Sequence, residues 1–119
     1  MNLDKLRKFC LSLEYTSEDM PFDNETLVFR VKNKIFALTN IEGDFSVNLK
    51  CDPQKALELR ASYPAVEPGY HMNKTHWNTV YCDNSIEDEL IFEWIQHSYD
   101  LVFKSLPKKG CLICSPKQI

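Results

Sequence analysis

Hydrophobic positions follow a helical period at the start of the chain and an alternating period after it. Apolar residues recur at three- and four-residue spacing from about Leu3 to Leu13, which predicts an amphipathic helix with Asn2 as its N-cap. From Leu27 the period is two, which is typical of strands that bury one face. Three such segments follow one another and predict an antiparallel meander. Its predicted buried positions are Leu27, Phe29, Val31, Phe45, Val47 and Leu49.

Turn and cap residues divide the rest of the chain. Asn33-Lys34 predicts a tight turn, because asparagine tolerates the left-handed conformation. Asp52-Pro53 predicts the start of a second helix, which runs to about Ala61. The aromatic and polar segment 66–82, with a turn near residues 74–75, predicts a second hairpin.

The last helix has the clearest pattern. An apolar stripe runs from Ile86 to Leu106, and Ser85 with Asp88 predicts a capping-box-like start. The elements together predict an α+β fold of two layers in the order α-β(3)-α-β(2)-α, with the helices packed on one face of an antiparallel sheet.

Composition restricts the class of protein. A chain of 119 residues favours one domain, which we place at residues 1–107, followed by a basic tail at 108–119. No run approaches the roughly 18 apolar residues of a membrane helix, and the charged N-terminus does not fit a signal peptide. The five cysteines show no disulfide spacing. We therefore expect a cytoplasmic protein without membrane association; the sequence gives no sign of its oligomeric state.

Charge distribution suggests where a partner would bind. The net charge is −3, which argues against a general polyanion binder. Segments 26–41 and 68–82, however, contain no aspartate or glutamate and hold several cations and hydrogen-bond donors. The candidate nucleic-acid-binding residues are Arg30, Lys32, Lys34, His71, Asn73, Lys74, His76 and Asn78. An equally weighted structural interpretation places Tyr70 and Trp77 in the core and uses the two asparagines to satisfy the hairpin backbone.

The sequence gives less support for metal-binding or catalytic residues. His71, His76 and Cys82 have no regular ligand spacing, and Cys111 and Cys114 form a lone CxxC beyond the last helix. Hence we expect neither a metal nor a cofactor. Ser98 and Tyr99 could form a reactive pair, but the position of Ser98 on the apolar stripe favours packing with a local hydroxyl hydrogen bond. We predict no catalytic residue.

Five motifs carry a family resemblance. They are PFDNETLVFRV at 21–31, VNLKCDP at 47–53, PGYHMNKTHWNTV at 68–80, HSYDLV at 97–102 and LPKK at 106–109. In this order they resemble the MmcQ/YjbR family. The resemblance implies a two-layer fold similar to that of secretion chaperones, and a double wing of hairpins that has been associated with DNA binding. It carries no catalytic constellation. Asn33 stands where relatives often have glycine, and the tail matches no family pattern.

Three functions remain open at this stage. The first is weak, sequence-nonspecific DNA binding by two hairpin wings, with no enzymatic activity. The second is a protein-interaction module that uses the sheet or the hairpin at residues 70–78. An enzyme acting on a small ligand is less favoured, because only His71 and His76 support it.

Overall fold

The computed structural model describes residues 1–69 and 72–106. Within these ranges the chain forms three helices, α1 (Leu3–Ser12), α2 (Pro53–Ser62) and α3 (Asp88–Lys104). It also forms the strands β1 (Thr16–Asp19), β2 (Thr26–Val31), β3 (Lys34–Asn40), β4 (Ser46–Lys50), β5 (Val66–Pro68) and β6 (Trp77–Tyr81). No helix in the described ranges is long and apolar enough to span a membrane.

All six strands form one antiparallel sheet in the order β1-β2-β3-β4-β6-β5. One row across it joins Leu27, Thr39, Val47, Val80 and Val66, all of which are buried. The three helices pack against this face: α3 lies on the central strands, α1 beside β1, and α2 beside β5 and β6. The predicted α+β fold is therefore confirmed. Five of the six predicted positions of the meander are buried, whereas Phe45 precedes β4 and is only half-buried.

Strand β1 is an addition to the predicted order. It pairs with β2 from Thr16 to Asp19 and forms one edge of the sheet. Its four residues, TSED, alternate between half-buried and exposed and include no apolar side chain. An edge strand held by main-chain hydrogen bonds needs no hydrophobic alternation, so the periodicity could not reveal it.

Two of the three helix starts follow the prediction. The side chain of Asn2 accepts a hydrogen bond from the Lys5 amide at 2.8 Å, and that of Asp52 accepts from the Lys55 amide at 3.2 Å. The capping box predicted for α3 is wrong. Its helix begins at Asp88 without a side-chain cap. Ser85 instead bonds through both its amide and its hydroxyl to Asp83.

The first hairpin turns one residue earlier than predicted. Lys32 and Asn33 have φ values of 47° and 75°, and Val31 pairs with Lys34. Two successive left-handed residues are typical of a two-residue type I′ turn, whose twist matches that of the flanking strands. Asparagine serves here in the role that glycine often fills, because it tolerates the left-handed region better than most side chains.

Candidate functional site

Both hairpins point to the same end of the sheet. The first turns at residues 32–33, and Lys50 pairs with Trp77 where the second begins. Because Leu49 pairs with Ala37, the end of β4 lies beside the start of β3. We call residues 32–34, 50–52, 69 and 72–76 the hairpin end. It carries four lysines, Lys32, Lys34, Lys50 and Lys74, and a single carboxylate, Asp52.

The opposite end of the sheet has the opposite charge. Segments 20–25, 41–45 and 82–87 connect the strands there, and we call them the loop end. They contain no lysine or arginine. Their acids are Asp23, Glu25, Glu42, Asp44, Asp83 and Glu87. The charge of the segments that connect the strands is thus polarised along the strand direction, although the chain as a whole is acidic.

The predicted cations differ in what they contact. Arg30 pairs with Asp19 at 3.1 Å and also donates to the Asn33 carbonyl. The Lys32 ammonium lies 4.5 Å from the Tyr15 ring centroid, which is a cation–π contact. Lys74 donates to the Gly69 carbonyl at 2.9 Å. Lys34 is exposed and forms no ion pair with any described residue.

The predicted asparagines organise the second hairpin. Asn78 is 2% exposed, and its amide bonds to Arg60 and to the Ala56 carbonyl on α2. It therefore lies on the helix side, where a nucleic acid would not reach it. The Asn73 side chain accepts a hydrogen bond from the Thr75 amide at 2.9 Å, but remains exposed. His76 is exposed as well. Tyr70 and His71 lie outside the described residues.

Arg60 holds this hairpin against α2. Its Nε donates to the Asn78 side chain at 2.7 Å, and its Nη2 donates to the carbonyls of Lys74 and Trp77. Gly69 lies so close to the returning strand that an added Cβ would be 2.9 Å from the Trp77 Cβ. Sequence reasoning missed Arg60, because a basic residue on a polar helix gives no signal that it binds a distant hairpin.

The HSYD motif joins α3 to the rest of the fold. Ser98 is fully buried; its hydroxyl donates to the Phe36 carbonyl at 2.6 Å and accepts from the Lys50 amide at 2.8 Å. These partners lie in β3 and β4, so the predicted local hydrogen bond is in fact long-range. The Tyr99 hydroxyl donates to the Glu14 carbonyl at 2.6 Å. Both hydroxyls bond to backbone groups of other elements and thereby hold α3 in place.

His97, the first residue of the same motif, contacts the start of α2. Its Nε2 accepts a hydrogen bond from the Asp52 amide at 3.2 Å. Burial, assisted by the nearby charge of Lys55, lowers the pKa of His97 below its ordinary value. A protonated imidazole could not accept this bond, so the folded state favours the neutral ring.

We predict that His97 makes stability depend on pH. As pH falls through about 6.5, the unfolded chain takes up a proton before the folded chain does, and stability decreases until the pH passes below the folded pKa. Urea unfolding at pH 7.5 and 5.5 should show this loss. It should be smaller in His97→Gln, which cannot titrate. An equal loss of stability in the unmodified protein and in His97→Gln would show that other groups cause the pH dependence.

The face of the sheet away from the helices forms a cleft. We call this the open face; one row across it joins Val28, Leu38, Asn48 and Thr79. The open-face cleft has a volume of about 520 Å³. Residues that line it include Phe22, Ile35, Leu38, Asn48, Met72 and Tyr81. Sequence reasoning missed this cleft, because its walls come from segments far apart in the chain.

The cysteines of the described region are buried or half-buried thiols. Burial raises the pKa of Cys10 to about 12, and those of Cys51 and Cys82 to about 11. Such thiols are poor nucleophiles and poor metal ligands at neutral pH. No group of three or more histidine, cysteine or acidic side chains with ligand geometry occurs among the described residues. Cys111 and Cys114 lie outside them.

The chain is a two-layer α+β protein, and the helices of its described residues all cover the same side of the antiparallel sheet. A family model described as YjbR matches residues 11–101. The chain therefore belongs to the YjbR family, which confirms the resemblance seen in its motifs.

Relatives with known sequences or structures agree with this assignment. The uncharacterized protein YbdF of Escherichia coli O157:H7 is 39% identical over 104 residues, which cover 87% of this chain and 85% of that protein. The uncharacterized protein YjbR of Escherichia coli K12 is 30% identical over 110 residues, 92% of this chain and 93% of that one. A crystal structure of a Deinococcus radiodurans protein matches with a TM-score of 0.85 and 41% identity, covering 91% of this chain and 83% of that chain.

Proposed function

We propose that this protein binds nucleic acid weakly and without sequence preference through its hairpin end. The observation that supports the proposal is the arrangement of charge in the sheet connections: both hairpins lie at the end that carries four lysines, and the loops at the other end carry six acids and no lysine or arginine. A polyanion would be attracted to one end and repelled from the other, so an acidic protein could still bind in one orientation.

Four lysines supply the phosphate contacts in this proposal. Lys34 is exposed and unpaired among the described residues. Lys74 is also exposed; its ammonium donates to the Gly69 carbonyl of its own hairpin and has further hydrogens for a phosphate. The Lys32 ammonium rests on the Tyr15 ring, and Lys50 lies between the hairpins. Asn73 and His76 add exposed hydrogen-bond donors. Arg30 and Asn78 support the hairpins instead, because their side chains are already bound.

The edges of the sheet favour this proposal over an adaptor that adds a partner strand. Strand β5 has three residues and ends at Pro68, which has no amide hydrogen to donate. Strand β1 has four residues, and Glu18 in it is bound by Arg7 at the adjacent helix. Short, charged or proline-bearing edges resist pairing with another chain.

We predict that the double variant Lys34→Glu with Lys74→Glu weakens binding to duplex DNA and reduces its salt dependence. Four neutralised phosphates give a log-affinity slope against log salt of about −3 to −4, and the loss of two contacts should reduce its magnitude by about 2. Fluorescence anisotropy with a labelled duplex at several salt concentrations measures both quantities. The melting temperature should change little, because these are surface positions.

A matched control changes the same charge elsewhere. Lys5→Glu with Lys8→Glu alters the net charge equally, but these exposed residues lie on α1. This control should lose less affinity than the hairpin variant. Equal losses would show that net charge alone governs binding, and absence of binding by the unmodified protein at low salt would refute the proposal.

A further inference from the structure

We propose that the open-face cleft binds an unstacked base of single-stranded nucleic acid while the lysines of the hairpin end contact the adjoining phosphates. This inference rests on the proposed function and names its ligand more closely. It assigns a role to the face of the sheet that no described helix covers.

The size and apolar lining of the cleft suit a flat ring. Its volume of about 520 Å³ falls within the range of about 300–1,000 Å³ that is usual for small-molecule sites. Leu38 lies in its floor, and Phe22, with 65% of its surface exposed, and Met72 lie in its walls. An exposed aromatic side chain beside a sheet offers a stacking surface that any base can use.

The charge of the lining favours a neutral group over a phosphate. Among the described residues, no lysine or arginine lines the cleft, and its one carboxylate is Asp23. That carboxylate already accepts hydrogen bonds from the amides of Glu25 and Thr26 at 2.9 and 2.8 Å, which lower the pKa of Asp23. A phosphate would find no cation in the cleft, whereas an uncharged base would lose little on entering it.

Polar groups in the floor of the cleft can form hydrogen bonds with the edge of a base. The side-chain oxygen of Asn48 accepts a hydrogen bond from the Thr79 hydroxyl. The two hydrogens on the amide nitrogen of Asn48 are therefore not used in this bond. That nitrogen donates to no other residue in the described part of the chain. Bases carry ring nitrogens and carbonyl oxygens at their edges, and asparagine amides bind such acceptors in protein complexes.

The cleft reaches from the loop end, where Phe22 and Asp23 line it, to the hairpin end. Ile35 lines it and is adjacent to Lys34, while Met72 lines it two residues before Lys74. A strand whose phosphates contact these lysines would therefore pass the mouth of the cleft. A duplex keeps its bases stacked inside, so this arrangement favours single strands.

Two oligonucleotides of equal length and charge test the inference. One is a thymidine 12-mer; the other has the same phosphate backbone with abasic sites throughout. Fluorescence anisotropy should show the thymidine strand binding about 5- to 150-fold tighter, which is the range expected for one stacked base. Phe22→Ala should remove most of this difference without changing binding of the abasic strand or the salt slope. Met72→Ala should reduce the difference as well.

Leu57→Ala is the matched control, because Leu57 on α2 is 57% exposed and lies away from the cleft. It should leave both strands unaffected. Equal affinity for the two strands would overturn base binding and leave the lysine-based proposal standing. A preference for thymidine that persists in both cleft variants would overturn the cleft as the site. If neither strand binds, both proposals fail.

Discussion

Replacement of Val47 by aspartate should destabilise the protein by about 4–5 kcal/mol or more, and at that size most of the stability of a small domain is lost. Val47 is fully buried at the centre of the sheet, between Thr39 and Val80 on the helix side. A carboxylate there would lie within the hydrophobic core, and an unpaired buried charge is among the most costly changes known. Urea unfolding followed by circular dichroism measures the loss.

Asn48→Asp is the matched control. It introduces the same side chain one residue further along β4, where alternation places it on the open face. A carboxylate there can still accept the hydrogen bond from the Thr79 hydroxyl. We expect this variant to lose no more than about 1 kcal/mol. Similar losses at both positions would contradict the assignment of Val47 to the buried face.

The sequence predicted the parts of the fold that are stabilised by burial of one face of a strand. Alternation correctly placed Leu27, Phe29 and Val47, because burial on one face imposes a period of two. It could not indicate that Val28 and Leu38 are buried as well, on the open face, with 0% and 8% of their surfaces exposed. Their burial depends on how distant segments pack, which local periodicity does not record.

The candidate site was predictable as a region but not as a set of contacts. Absence of acids marked both hairpins, and the register places them at one end of the sheet. The partners of single side chains are distant in sequence: Arg30 and Asp19 are 11 residues apart, and Arg60 and Asn78 are 18 apart. Only the fold shows which polar side chains are already bound and which are available to a ligand.

The same distinction applies to the motifs that revealed the family. Gly69 allows close approach of the hairpin strands, and Asn78 bonds to α2. Ser98 and Tyr99 attach α3 to the sheet and to the segment before β1. These roles are structural, so the motifs identify the fold more directly than they identify an activity.

Replacement of Ser98 by alanine should cost about 2–4 kcal/mol, a large effect for the loss of one oxygen atom. The hydroxyl donates to the Phe36 carbonyl and accepts from the Lys50 amide, next to an irregularity in the pairing of β2 and β3. Alanine would leave one buried carbonyl and one partly buried amide without this partner, and such a loss costs about 1–3 kcal/mol for each group. Urea unfolding measures the total loss, and hydrogen exchange should show reduced protection of the Lys50 amide.

Ser12→Ala provides the control for this change. Its hydroxyl also donates to a backbone carbonyl, that of Phe9 at 2.6 Å, but at an exposed position. Water can replace the hydrogen bond there, so we expect a change within about 0.5 kcal/mol. A Ser98→Ala protein as stable as the Ser12→Ala protein, with the Lys50 amide still protected, would show that another group satisfies the junction of β3 and β4. The expected large difference would instead assign the serine of the HSYD motif to joining helix and sheet, a role that requires no substrate.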